Sequence, residues 1–295
     1  MISAATIEKQ IKELGVKQGD VVFLAADLLK VGYFSNDKDS TLRDWVNILI
    51  NVVDNDGTLV VPSYTNSFSF LYKKSNVIFS NDAPTTSGSL SQAFQKYPGV
   101  LRSQHPTNSC FAIGKYAKFI LDGHDEKSSA YLPYQRVVSL KGKNLMLGAI
   151  EDAKLAPMGM HCAQESLDLT RKNWLAGVLQ TYYYDQFGNI KIFTRNDVGG
   201  CTGGAHKAIG YHIIEKAITF GKVGRSLSAY IDCEKSFSIF KKILKENPAL
   251  IKCDGIETCG CCYGSPIYRH PLFWLKKIFK KIMRLILISI KSKFL

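Results

Sequence analysis

RSQHPTNS, residues 102–109, sets Arg102 three positions ahead of His105, stiffens the turn with Pro106 and adds hydroxyls at Ser103, Thr107 and Ser109. Two groups able to carry positive charge, beside several small hydrogen-bond donors, suit a bound anion. A second stretch, MGMHCAQES, places Glu165 four residues after His161. On a helix that spacing puts the imidazole and the carboxylate on one face. A third stretch gathers Cys253, Cys259, Cys261 and Cys262. Four soft ligands suit structural zinc, but the spacing is wrong for paired C-x-x-C knuckles and adjacent cysteines rarely share one ion. Zinc is therefore the less favoured reading beside reduced thiols or a lipidated pair. GGCTGG (199–204) lacks the G-x-x-x-x-G-K-[ST] spacing of a phosphate-cradling loop and reads as a turn before a helix.

The elements that must position these groups follow from periodicity. Ser3 can cap a helix carrying Ile7, Ile11 and Leu14, which Gly15 stops. DVVFLAA (20–26), GTLVVPSY (57–64), KNLMLGAI (143–150) and IKIF (190–193) read as strands. TLRDWVNILINVV (41–53) and SGSLSQAFQKY (87–97) read as helices, the second begun at a Ser cap. GGAHKAIGYHIIEKAITFG (203–221) is expected to form one helix ended by Gly221, and Asp232 to cap CEKSFSIFKKILKEN ahead of Pro248. Helices alternating with near-continuous apolar strands predict an α/β sandwich around a central sheet, with strand order open.

The chain has 295 residues, of which 46% are hydrophobic and 21% charged, a globular composition. Its start is amphipathic and lacks the apolar run of a signal peptide, so the eight cysteines are expected to be reduced in a cytoplasmic protein. The formal charge is +13, and no acidic residue follows Glu257. Eight of those thirteen units lie in the last 27 residues, leaving +5 for the rest. There Lys276, Lys277, Lys280, Lys281 and Arg284 share one helical side, with Leu275, Ile278, Phe279, Ile282, Leu285 and Ile286 on the other. A basic amphipathic helix of this kind lies on an anionic membrane surface, and its lysines are too many for a span. Packing on a partner subunit, in a homo-oligomer, is the alternative. No aromatic–basic platform points to nucleic acid. Residues 1–252 are thus expected to form one domain and residues 253–295 a Cys-rich turn with a basic amphipathic tail.

The order of motifs resembles one enzyme family. GDVVFLAADLLKVGYF, GTLVVPSYT, TTSGSLSQAFQKYPGVLRSQHPTNSCFAIGKYA, GKNLMLGAI…MHCAQES and IGYHIIEKAITFGKVGRS follow the pattern of the aminoglycoside 3-N-acetyltransferases, a family distinct in fold from the GNAT acetyltransferases. The resemblance covers roughly residues 5–250 and is most specific from Gly88 to Ser109. It implies an αβα sandwich around a central mixed sheet and direct transfer of acetyl from acetyl-CoA to a primary amine of an aminosugar. It implies His161 as general base with a supporting carboxylate, for which Glu165 stands. An imidazole suits that task because a protonated amine is no nucleophile near neutral pH. The resemblance further sets Arg102, Ser103, His105 and Ser109 near a coenzyme phosphate, with His105 alternatively ordering the turn, and Ser63 beside the pantetheine arm. Asp27 and Gln164 are then candidates on the substrate side.

Three departures from the family pattern stand out. Ala25-Ala26-Asp27 replaces His-Ser-Ser after the first strand, Met158 replaces a threonine, and Gln164 occupies the usual position of the carboxylate. Without the resemblance, His161 would read first as a structural histidine, and Glu165 as readily as a solvent-facing charge. His206 and His212 read as helix-surface and packing residues, and His124 has no assigned role. Because the chain is basic even without its tail, the expected acceptor is a nucleotide- or lipid-linked aminosugar of surface polysaccharide synthesis. An aminoglycoside antibiotic is the alternative acceptor, and a non-catalytic membrane-associated binding protein the alternative function.

Overall fold

The computed structural model describes residues 2–65, 68–69, 77–150, 159–169, 179–195 and 203–251. Helix α1 (Ala4–Leu14) begins where the Ser3 hydroxyl accepts the Thr6 amide at 3.1 Å and ends at Gly15, whose φ of +123° suits only glycine. Strand β1 (Val21–Ala26) leads through α2 (Leu28–Val31) and α3 (Lys38–Val53) to β2 (Thr58–Pro62). Two short strands follow, β3 (Phe68–Ser69) and β4 (Ile78–Phe79), then α4 (Ser89–Lys96), β5 (Leu101–Arg102), β6 (Cys110–Gly114), α5 (Ala117–Leu121), α6 (Leu132–Ser139) and β7 (Lys143–Leu147). Helix α7 (Gly159–Glu165) precedes the hairpin β8 (Leu179–Tyr184) and β9 (Ile190–Thr194). A 3₁₀ turn at Ala205–Ala208, α8 (Ile209–Ile214), β10 (Ile218–Val223), β11 (Ser226–Asp232) and α9 (Cys233–Glu246) complete the described elements.

The central sheet has the order β10-β11-β7-β1-β2-β6-β5. Its core, β7-β1-β2, is parallel, and antiparallel strands flank it on both sides, so the sheet is mixed as expected. Alternation along β1 sorts the two layers of helices. Val22 and Leu24 pack with Ile7, Ile11, Trp45 and Leu49 of α1 and α3, whereas Val21 and Phe23 pack with Ile120, Tyr134 and Val137 of α5 and α6. A period of two in one strand thus builds the αβα sandwich. A smaller sheet forms on β8, which pairs with β9 along its length and with β3 and β4.

Two expectations need correction. The stretch 203–221 is not one helix: it divides into the 3₁₀ turn, α8 and β10. Lys216 takes φ +49°, breaking the helix, and Ile218–Val223 instead pairs with β11 through a tight turn at Gly224. That glycine passes so close to the Val31 carbonyl that a Cβ would stand 2.1 Å from it. Sheet pairing and this approach override the helical pattern, which periodicity alone could not foresee. Helix α4 is capped not by a serine but by Gly88, with no side-chain hydrogen bond. Met158, residues 199–202, the four cysteines from Cys253 onward and the basic tail lie outside the described residues. Among the described residues no helix is long and apolar enough to cross a membrane, and no cluster of ligands could hold a metal ion.

Candidate functional site

In an open α/β sheet, ligands enter at the carboxyl ends of the parallel strands. Here a cleft of about 280 Å³ opens at that edge. The ends of β1 (Ala25, Ala26) and β2 (Val61, Pro62), the start of α4 (Leu90, Ser91) and Gly148-Ala149 after β7 line it. Asp27 stands at its rim. Its carboxylate accepts the Lys30 amide at 3.3 Å and so caps α2, while its own amide bonds the Leu147 carbonyl at 2.8 Å. The Ala25-Ala26-Asp27 departure therefore falls directly on the cleft wall.

RSQHPTNS forms a turn whose polar side chains bond to one another and to neighbouring segments. Ser63 and Ser109 are 0% exposed, Ser103 and His105 2%. The Ser109 hydroxyl lies 2.9 Å from that of Ser63 and 2.7 Å from the Ser63 carbonyl. Arg102 donates from Nε to Ser109 at 3.2 Å, from Nη2 to the Ser63 carbonyl at 2.9 Å, and from Nη1 to the carbonyls of Asn81 (3.0 Å) and Ala83. Its guanidinium also stacks over Phe79 and Phe111 at 5.1 and 5.0 Å. Burial pulls this guanidinium down to about 10, against the opposing pull of Asp82, and it stays charged. His105 orders the turn, its Nδ1 accepting the amides of Asn108 at 3.0 Å and Thr107 at 3.3 Å. Ser103 holds the Cys110 amide at 2.9 Å. The five sequence-derived residues thus form one connected scaffold running from the end of β2 to β6.

His161 belongs to a second assembly. Met160 and Ala163 of α7 bury against Ile239, Phe240 and Ile243 of α9. Gly159 permits this contact, since a Cβ there would stand 3.0 Å from the Ser236 hydroxyl. The adjacent side of α7 carries His161 and Gln164, 5% and 7% exposed. The His161 ring stacks on Tyr131 with centroids 5.1 Å apart, and its Nδ1 lies 3.1 Å from the Gln164 side-chain oxygen. The Glu165 carboxylate receives hydrogen bonds from Ser129 Oγ at 2.5 Å and Gln135 Nε2 at 2.7 Å. His161 and Glu165 share one short helix, as their spacing predicts, and Gln164 is the residue seen on Nδ1. His161 is not among the residues that line the cleft at β1; residues 151–158, outside the described set, connect the two regions.

Some residues escaped sequence reasoning. His124, set aside as a loop residue, is 1% exposed, stacks on His105 at 4.9 Å and meets Ser103 Oγ through Nδ1 at 2.8 Å. Burial first, and then the neighbouring His105, hold its imidazole down to about 2, keeping it neutral. Its polar flanks hid it, because only the tertiary contact brings residue 124 to residue 103. Tyr131, Ser129 and Gln135, which support α7, left no sequence signal. His212 is a packing residue as expected, bonded to the Ala208 carbonyl at 2.8 Å and Ser236 Oγ at 2.9 Å.

The fold agrees with one family. The model of the family described as aminoglycoside 3-N-acetyltransferase matches residues 23–245. The chain belongs to the aminoglycoside 3-N-acetyltransferase family. Aminoglycoside N(3)-acetyltransferase IX of Micromonospora chalcea is 26% identical over 191 residues, 59% of this chain and 66% of that protein. The SPbeta prophage-derived aminoglycoside N(3')-acetyltransferase-like protein YokD of Bacillus subtilis (strain 168) is 29% identical over 137 residues, 40% of this chain and 49% of that one. The matches thus span under two thirds of these curated relatives. The crystal structure of the aminoglycoside acetyltransferase AAC(3)-IVa apoenzyme superposes with a TM-score of 0.73 at 20% identity, covering 90% of this chain and 97% of that one. The AAC-IIIb binary complex with CoASH gives 0.67 at 18% identity, covering 83% and 97%. The fold is therefore that of the aminoglycoside 3-N-acetyltransferases over nearly the whole length of those solved chains.

Proposed function

We propose that this chain is a CoA-dependent N-acetyltransferase acting on a primary amine of an aminoglycoside-type aminosugar. One observation carries the reading: a buried imidazole, His161, held by Tyr131 and Gln164 on a helix of the family fold. A base of this kind contributes about 10²–10⁴-fold by taking a proton from the attacking amine. In the proposed reaction the amine nitrogen attacks the thioester carbonyl of acetyl-CoA as His161 accepts its proton. The C–S bond then breaks, and the thiolate leaves to be protonated by the imidazolium. Glu165 would hold α7 through Ser129 and Gln135. The cleft at Ala25 and Ala26 would take the thioester arm, with Asp27 among its lining residues. Arg102, Ser63, Ser103, His105 and Ser109 would keep that side in shape from beneath, since their polar atoms are joined to one another and to the backbone.

The acceptor follows from the relatives, which are named for aminoglycosides; solved neighbours carry sisomicin and a gentamicin. The nucleotide- or lipid-linked aminosugar rests only on the chain's charge and on its tail, which lies outside the described residues. Cytoplasmic residence, docking on an anionic membrane and homo-oligomerisation likewise rest on sequence alone. Mass spectrometry of reactions with acetyl-CoA and a gentamicin-type acceptor tests the main reading. A monoacetylated product that disappears in His161→Ala supports it. Full turnover in His161→Ala would remove the base assignment. Acetylation of a nucleotide-linked aminosugar in preference to the drug would restore the surface-glycan version. No heat of binding with millimolar CoA would favour the non-catalytic alternative, which the hydroxyl-free Ala25-Ala26 wall motivates.

A further inference from the structure

A second hollow, of about 480 Å³, lies between α8 and α9 and shares no residue with the cleft at β1. Ile239, Ile243 and Leu250 give it an apolar floor, and Tyr211 stands at its wall. Tyr211 is 46% exposed, and Ile214, which follows it on α8, is 77% exposed. Apolar side chains gathered around a hollow, unlike single scattered ones, mark a face that another segment covers. The rim carries three carboxylates, Glu215, Glu234 and Glu246, against two lysines, Lys235 and Lys242. Lys235 turns its Nζ to the carbonyls of Glu215 and Lys216, at 3.2 and 3.4 Å. An acidic-rimmed apolar groove thus stands on a body whose formal charge is +5.

The chain itself carries a segment of matching chemistry. Residues 275–286 have one apolar and one basic helical side, and no acidic residue lies among them. As a helix these twelve residues are about 18 Å long, against about 21 Å for the 14 residues of α9. Leu250 lines the groove, and the described residues end beside it at Ile251. The 23 residues from 252 to 274 can extend over about 75 Å, ample to bring the segment back. We propose that the α8–α9 groove receives residues 275–286 of the same chain: their apolar side covers Tyr211, Ile239, Ile243 and Leu250, and their lysines meet Glu215, Glu234 and Glu246. This docking excludes simultaneous docking on a membrane, because one apolar side cannot cover both the groove and a bilayer. It also backs the α7–α9 contact, since Ile239 and Ile243 bury Met160 and Ala163 as well. The proposal is independent of the role of His161.

The test uses the full chain with the photoreactive substitution Tyr211→p-benzoylphenylalanine, irradiated without lipid, digested and read by mass spectrometry. Cross-links from position 211 to residues 272–286, in a product that migrates as one chain, are the expected result. Ile278→Asp with Ile282→Asp should lower their yield about tenfold or more, because charge would enter an apolar floor. Glu234→Lys with Glu246→Lys should lower it about threefold, the size expected of exposed ion pairs. An unchanged yield in either variant overturns the docking. Cross-links to a second chain alone overturn it too, making the groove a contact between copies. So does a chain that stays unlinked at position 211 yet sediments with phosphatidylglycerol vesicles. If the probe at 211 prevents folding, Ser238→p-benzoylphenylalanine, at an exposed lining position of the same groove, decides by the same outcomes.

Discussion

Arg102 and Ser63, 39 positions apart in sequence, are joined by a 2.9 Å hydrogen bond from the guanidinium to the Ser63 backbone carbonyl. The same guanidinium reaches the carbonyls of Ser80, Asn81 and Ala83, so one side chain ties the exit of β2 to the segment after β4. A lysine has neither the fork nor the reach to satisfy these acceptors together. Arg102→Lys should therefore destabilise the fold by about 3 kcal/mol through carbonyls left without donors. Urea unfolding followed by circular dichroism measures it. A loss near zero would return Arg102 to the role of a phosphate ligand held in place by other contacts.

His124 makes stability depend on pH. Its folded value, near 2, lies below the ordinary 6.5 of an exposed imidazole, so the unfolded chain binds the proton more readily. The contribution is complete above about pH 6.5 and is lost as pH falls from there toward 2. The slope is at most about 1.4 kcal/mol per pH unit for one such group. His212, also lowered by burial, adds the same sign. Unfolding midpoints at neutral and mildly acidic pH should fall more steeply for wild type than for His124→Asn.

Asp232 serves two elements at once. Its carboxylate caps α9 by accepting the Lys235 amide at 3.0 Å and meets Lys143 Nζ of β7 at 2.5 Å. Partial burial pushes this carboxyl upward, but the bonds to Lys143 and Lys235 prevail and hold it below 3.8. Its stabilisation is thus present above the unfolded carboxylate value and lost as pH drops below it. Asp232→Asn keeps a capping oxygen and should cost less than Asp232→Ala, which loses both partners and should cost about 2 kcal/mol. Equal losses in thermal denaturation would show that the cap contributes nothing.

Cys110, Cys162 and Cys233 are buried free thiols. Burial raises all three, Cys110 and Cys233 to about 12, so each is a poor nucleophile near neutral pH. Iodoacetamide applied to the native protein should leave these three unmodified in peptide mass spectra, and denaturant should expose them. Rapid native alkylation of Cys162 would mean that α7 opens readily from α9.

Local chemistry made much of the architecture readable. Ser3 and Asp232 cap their helices because an oxygen three residues ahead of an amide is a sequence-local arrangement. Apolar runs at β1, β2 and β7 announce buried strands because parallel strands are covered on both faces. The segment 203–221 failed for the converse reason. Its strand depends on a hairpin with β11 and on Gly224 meeting Val31, contacts that local periodicity does not encode.

The site divides in the same way. Spacing alone set His161, Gln164 and Glu165 on one helix, and the family pattern singled out Arg102 and Ser63. Tertiary structure alone decided that Gln164 meets the ring while Glu165 meets Ser129 and Gln135. It alone folded His124 onto His105 and brought the Ser109 hydroxyl to that of Ser63. Sequence specifies which groups a short segment carries and roughly which way they alternate. Which acceptor each donor finds is settled by packing between segments remote in the chain, where burial makes an unpartnered polar group costly.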